Sequence, residues 1–139
     1  MSTSSPHTGW NILPPVTIAP KDRLTHVRGC SDFASRLLDR FPKWQKGLDE
    51  SGLPEVADLV RTIQEHGLDN GLRRFRNRDM LSIVWRDLSG LATLDDTFMA
   101  LTTLAETGLQ TALDADQRDL EEKHGTPRGT DGEPQRMFV

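Results

Sequence analysis

Four arginines within seven residues, Arg73, Arg74, Arg76 and Arg78, are the side chains of this sequence that most need a partner. Guanidinium groups bind carboxylates, phosphates and the backbones of nucleic acids. On a helical wheel at about 100° per residue, Arg73 and Arg76 share the side of the apolar residues that follow. The cluster therefore differs from an ordinary solvated run of charges.

Three interpretations of this cluster are open. The arginines could form ion pairs at an interface between helices or domains, they could hold a phosphate or nucleotide, or they could contact nucleic acid. A net charge of -4 and a pI near 5.5 disfavour nucleic acid as a partner. Because an unpaired buried charge is very costly, the interface is favoured. Asp79 and Asp87 lie on the same predicted helix and could pair with some of these guanidinium groups. The interface candidates are Arg73, Arg74, Arg76, Arg78 and Asp87.

Other residue types that could do chemistry are not spaced for it. The four histidines are scattered and match no zinc-ligand spacing. Asp114 and Asp116 are two residues apart on a predicted helix, so they point about 200° apart and cannot clamp one ion. Cys30 is the single cysteine and cannot form an internal disulfide. The sequence predicts no catalytic residue, no metal site and no cofactor within these 139 residues.

Composition predicts one modest domain in the cytoplasm. Hydrophobic residues make up 35% of the 139 residues, and the first 20 residues lack the features of a secretory signal. No apolar run approaches the roughly 20 residues that span a bilayer. We therefore expect no contact with membranes.

The positions of proline, glycine and helix-capping residues predict three segments. Residues 1–29 are expected to form a flexible tail, 30–124 a helical domain, and 125–139 a loop with the start of a strand. Ser31 is a good N-cap, Gly67 is placed to end the helix that starts near Pro54, and Thr93 with Asp96 forms a capping-box pattern. Helices are predicted at Asp69–Ser89 and Thr93–Lys123, and the short link between them predicts an antiparallel pair.

The predicted fold is all-α, a helical bundle or hairpin. Leu81, Val84 and Leu88 are expected to pack against Phe98, Leu101 and Ala105 across the antiparallel pair. The predicted core of this pair consists of Phe75, Ile83, Val84, Trp85, Leu88, Leu101 and Leu109.

Three stretches of the sequence resemble one enzyme family. They are CSDFASRLLDRFPKW from Cys30, LRRFRNRDMLSIVWRDLSGLATLDDTFMALTTLAETGLQTAL from Leu72, and EKHGTPRGTDGEPQRMFV from Glu122. Together they resemble the start of the bacterial bifunctional glutamine synthetase adenylyltransferase/adenylyl-removing enzymes. The Leu-Arg-Arg-Phe-Arg stretch and the Asp-Leu-x-Gly after it are the most specific parts.

The resemblance implies a full-length protein that adds AMP from ATP to a tyrosine of glutamine synthetase and removes it by phosphorolysis. It implies Mg²⁺ and ATP as cofactors of that protein, and glutamine synthetase and a PII-type signal protein as its partners. The Gly-Gly and Ser-Ser-Asp-x-Asp-Leu motifs of the family's nucleotidyltransferase domain do not occur here. The chain would thus be a non-catalytic helical lead-in that packs on this missing domain in cis. A free-standing helical interaction module remains the alternative.

Overall fold

The computed structural model describes residues 16–138, and within that range it is built from helices. The α-helices are α1 (Pro20–Cys30), α2 (Asp32–Arg40), α3 (Val56–His66), α4 (Leu68–Leu88) and α5 (Leu94–His124). Short 3-10 helices cover Pro42–Gln45 and Leu48–Glu50. The predicted all-α class is confirmed. None of these helices is both long enough and apolar enough to cross a membrane.

Local hydrogen bonds set several of the helix ends. The Ser31 hydroxyl accepts the backbone N–H of Ala34 at 3.2 Å and caps α2. At the start of α5, the backbone N–H of Asp96 donates to Thr93 Oγ1, and the backbone N–H of Thr93 donates to the Asp96 carboxylate. The backbone N–H and the hydroxyl of Thr93 both donate to the Asp96 carboxylate, and these two bonds hold the pKa of Asp96 below its usual range. Gly67 ends α3 with a φ of +80°. All four signals were read from the sequence.

Helix α1 replaces part of the predicted tail. Residues 20–29 are helical, Val27 is fully buried, and Leu24 packs against the same core. Because α1 has few apolar residues, its hydrophobic periodicity is weak. Its stability comes from packing against the neighbouring helices. This part of the tail prediction is wrong, while residues 1–15 lie outside the described residues.

Helix α4 is the centre of the bundle and contacts each of the other four helices. Its C-terminal half shares one core with α1 and α2, made of Val27, Ala34, Leu38, Leu48, Leu81 and Trp85. Across its opposite side it shares a second core with α3 and α5, made of Leu59, Phe75, Ile83, Ala100 and Leu104. A helix that buries two faces needs apolar residues on both, which explains the density of apolar side chains after Met80.

The predicted pairing of α4 with α5 is present, but α5 is rotated. The two helices are antiparallel, since Thr97 near the start of α5 bonds to Asp87 near the end of α4, whereas Leu109 in the middle of α5 lines the same groove as Leu72 early in α4. Ala100 and Leu104 are the buried apolar residues of α5, whereas Phe98 is 58% exposed and Leu109 is 56% exposed. Leu109 therefore does not belong to the core.

The contacts predicted between α4 and α5 are also wrong in part. Leu81, Val84 and Leu88 lie in the core shared with α1 and α2 instead of against α5. Leu101 packs only partly, against the second core. The reason is that a helical wheel gives relative directions only, and the second partner of α4 decided which face met α5.

Two further features complete the fold. Gly71 allows α3 and α4 to approach closely, because a Cβ at this position would lie 2.6 Å from the Cα of Ile63. After α5, residues 125–138 form a turn with one isolated bridge between Arg128 and Pro134. The strand start predicted in this segment is not formed in the part of the chain that the structure describes.

Candidate functional site: two open surfaces on helix α4

The four arginines of α4 fall into two groups. Arg78 Nη2 lies 3.4 Å from a carboxylate oxygen of Asp58 and 3.2 Å from one of Asp79. Burial raises the pKa of Asp79, and this effect outweighs the lowering by Arg78. Arg73, Arg74 and Arg76 have no carboxylate within 4.0 Å among residues 16–138.

Asp87, the other predicted partner of the arginines, has a different role. Its carboxylate accepts a hydrogen bond from the Thr97 hydroxyl at 3.0 Å and so ties the end of α4 to α5. The prediction that Asp87 pairs with the arginine cluster is wrong. Asp87 lies nine residues or more beyond the cluster, more than two helical turns away.

A network around Asp49 was missed by the sequence reasoning. Its Oδ2 lies 2.6 Å from Arg23 Nη1, and its Oδ1 accepts the indole N–H of Trp85 at 2.8 Å. Arg86 Nη1 donates to the backbone carbonyl of Asp49 at 2.9 Å. These bonds join α1, the second 3-10 helix and α4. The residues of this network are 26 to 37 positions apart in the sequence, so no local pattern links them. The one available signal is that the indole N–H of a buried Trp85 needs a hydrogen-bond acceptor.

The first open surface is a cavity of about 360 Å³ that we call the arginine pocket. It lies between the end of α2, the first 3-10 helix and the start of α4. Phe41 and Trp44 stack in its wall with ring centroids 4.1 Å apart. The guanidinium carbon of Arg74 lies 5.0 Å from the Phe41 centroid and 5.5 Å from that of Trp44. The pocket is lined by Arg40, Phe41, Trp44, His66, Asn70, Arg73, Arg74 and Asn77.

The second open surface is an apolar depression of about 370 Å³ that we call the α4–α5 groove. Arg73 and Arg76 line it and are exposed. The expectation that Arg73 and Arg76 face the core is therefore wrong. Between Leu72 and Met80, this face of α4 borders an open groove. The other lining residues are Leu72, Phe75, Met80, Leu101, Leu104, Ala105, Gly108 and Leu109.

Side chains that ligate metals do not cluster in the described residues. No three side chains among His, Cys, Asp and Glu come together in residues 16–138 in a way that could hold an ion. What the two surfaces offer is guanidinium charge in one case and apolar contact area in the other.

Comparison with known sequences identifies the family of the chain that carries these two surfaces. A sequence profile described as glutamate-ammonia ligase adenylyltransferase matches residues 21–139. The chain belongs to this family. No solved structure is significantly similar to the adenylyltransferase-family chain described here.

Relatives of this adenylyltransferase-family chain carry the name bifunctional glutamine synthetase adenylyltransferase/adenylyl-removing enzyme. The relative from Nitrosococcus oceani is 49% identical over 81% of the chain. Those from Thioalkalivibrio sulfidiphilus and Shewanella loihica are 36% and 32% identical over 85% and 84% of it. The chain spans only 13% of the length of each relative.

Proposed function

We propose that this chain is a non-catalytic helical scaffold of an enzyme that adenylylates and deadenylylates a tyrosine of glutamine synthetase. The observation that carries the proposal is the open α4–α5 groove in a chain that matches only 13% of each relative. The family's acidic motif is missing, and the described residues offer no substitute for it. Chemistry is therefore assigned to the remainder of the full-length polypeptide.

The occupant that we propose for the groove is another segment of the same full-length polypeptide, its nucleotidyltransferase domain. The floor of the groove is apolar, so it favours aliphatic side chains from that segment. Arg73 and Arg76 line it without carboxylate partners in the described residues, which favours Asp or Glu at the edge of the docked surface. A covalently attached domain has a high effective concentration, so even a modest contact area suffices.

The full-length protein would use ATP and Mg²⁺ for AMP transfer. Its partners would be glutamine synthetase and a PII-type signal protein. These assignments follow from the family resemblance, and we assign none of them to a residue of this chain.

The experiment is a chimaera in which this chain replaces the matching block of the Nitrosococcus oceani relative. Leu109→Glu places a charge in the groove at an exposed position. We expect at least a tenfold loss of adenylylation or deadenylylation rate, or a lower unfolding midpoint of the chimaera. In the chain alone, the same change should alter the free energy of unfolding by less than about 0.5 kcal/mol.

Leu94→Glu is the matched control, because Leu94 is 64% exposed on the same helix and does not line the groove. It should leave the chimaera unchanged. Equal behaviour of the two variants would contradict docking in the groove and favour a free-standing interaction module. Release of ADP by the chain alone from adenylylated glutamine synthetase, phosphate and magnesium would contradict the non-catalytic assignment.

A further inference from the structure

We propose that the arginine pocket is a binding site for the phosphate group of a small phosphorylated molecule. Arg73 lines both this pocket and the α4–α5 groove, but all the other lining residues of the two surfaces differ. The proposal does not depend on the function proposed for the groove. Three guanidinium groups line one cavity, those of Arg40, Arg73 and Arg74. Among residues 16–138, no aspartate or glutamate lines the same cavity.

The charge in the pocket is not neutralised by the described part of the chain. None of the three arginines has a carboxylate within 4.0 Å there, unlike Arg23, Arg28, Arg61 and Arg78. Glu65 approaches His66 to 3.7 Å but does not line the pocket. Several like charges around one concave surface repel each other, and a bound dianion removes that cost.

The aromatic pair fixes the position of two of these charges. The guanidinium carbons of Arg40 and Arg74 lie 5.3 Å and 5.0 Å from the centroid of the same Phe41 ring. Cation–π contacts of this kind restrict a long side chain without using its N–H donors as a carboxylate would. The N–H donors of Arg40 and Arg74 are thus not used by a described carboxylate, and both residues line the same cavity. Side chains that are already restricted lose less freedom when they bind an oxyanion.

Neutral donors in the same wall suit phosphate better than a single carboxylate. Asn70 and Asn77 lie about one turn before and one turn after Arg73 and Arg74 on α4, and both line the pocket. Phosphate oxygens accept several hydrogen bonds at once, and arginine matches them in a bidentate manner. A cavity of about 360 Å³ is within the range of small-ligand sites, so it has room for more than an inorganic ion.

The test is a titration of the 139-residue chain at constant ionic strength, followed by the NMR signals of the Trp44 indole N–H and the arginine side chains. The probes are AMP, inorganic phosphate and, as a carboxylate, glutamate. We expect saturable shifts at Trp44 with AMP and phosphate, and at least tenfold weaker binding of glutamate. Tighter binding of AMP than of phosphate would identify a nucleotide, and equal binding would identify phosphate alone.

Arg74→Gln should weaken the binding of AMP and phosphate at least tenfold. Arg36→Gln is the control, because Arg36 is an exposed arginine of α2 outside the pocket. If Arg74→Gln disturbs folding, Arg73→Gln replaces it, since Arg73 is exposed and has no ion pair with any other described residue. Arg74→Lys should restore part of the affinity.

Four results would overturn the proposal. The first is that AMP and phosphate do not saturate the chain, and the second is that glutamate binds as tightly as they do. The third is that Arg74→Gln and Arg36→Gln weaken the binding equally. The fourth is that duplex DNA binds in a salt-sensitive manner while AMP does not saturate the chain. Binding of DNA is expected to be undetectable at about 0.15 M salt, because screening and loss of counterion release weaken a small basic patch in an acidic chain.

Discussion

The two ends of helix α4 use arginine differently. From the middle of the helix to its C-terminus, Arg78 contacts the carboxylate of Asp58, and Arg86 donates to the backbone carbonyl of Asp49. The neighbouring Trp85 donates its indole N–H to the Asp49 carboxylate. Toward its N-terminus, Arg73, Arg74 and Arg76 meet no carboxylate in the described residues and line open surfaces. Arginines that are satisfied within the chain hold the bundle together, whereas arginines without such partners are available to a ligand or a domain.

The largest expected effect tests the closed end of α4. Trp85 is 4% exposed and lies in the core shared with α1 and α2. Trp85→Ala should lower the free energy of unfolding by about 3–5 kcal/mol, since it leaves a cavity and removes the hydrogen bond to Asp49. Urea unfolding measures the loss. Trp44→Ala, at the half-buried pocket wall, should cost less, and a loss under about 1 kcal/mol at Trp85 would contradict the assignment.

Asp49→Ala tests the ion pair that closes this end. Arg23 has a side chain only 9% exposed, so removal of its partner leaves a buried charge. We expect a loss of about 3 kcal/mol, at the lower end for a broken buried pair because Asp49 itself is 44% exposed.

The matched control for Asp49→Ala is Asp39→Ala. Its pair with Arg28 is of similar length, 2.7 Å, but the two side chains are 34% and 68% exposed. Exposed pairs contribute less than about 1 kcal/mol. Equal losses in the two variants, measured by urea unfolding, would show that burial is not what separates the two kinds of arginine.

Gly71→Ala tests what holds the open end of α4 against α3. The added methyl group would meet the backbone of Ile63 at 2.6 Å, so we expect a loss of about 1–3 kcal/mol in thermal or urea unfolding. Gly108→Ala is the control, because nothing lies within 4 Å of its Cβ position. A helix-interior alanine there should be neutral or stabilise by up to about 1 kcal/mol. A neutral Gly71→Ala would mean that α3 does not approach so closely.

The smallest effect is expected at Arg76. Since Arg76 has no carboxylate partner in the described residues, Arg76→Gln should change the free energy of unfolding of the chain by less than about 0.5 kcal/mol. Arg78→Gln, which removes contacts to Asp58 and Asp79, should cost more. A loss above about 1 kcal/mol at Arg76, seen in the same urea titration, would place a partner for it within the chain.

The sequence alone established several helix ends and the all-α class. Ser31, Gly67 and the Thr93–Asp96 capping box act through hydrogen bonds or backbone conformations within a few residues of themselves, so their effects are visible locally. The antiparallel neighbours α4 and α5 followed from a link too short for any other arrangement. The family was read from residues of these same helices, and the match to residues 21–139 confirms it.

Only the tertiary structure decided which faces are buried and which charges are paired. Helix α1 has too weak a pattern to be seen until Val27 enters a core built by α2 and α4. Leu109 and Leu104 both fit an apolar stripe, and the rotation of α5 against α4 buried only Leu104. Arg23 and Asp49 are 26 residues apart, and nothing local links them. Packing and ion pairing depend on the relative position of distant segments, which is fixed only when all helices are placed together.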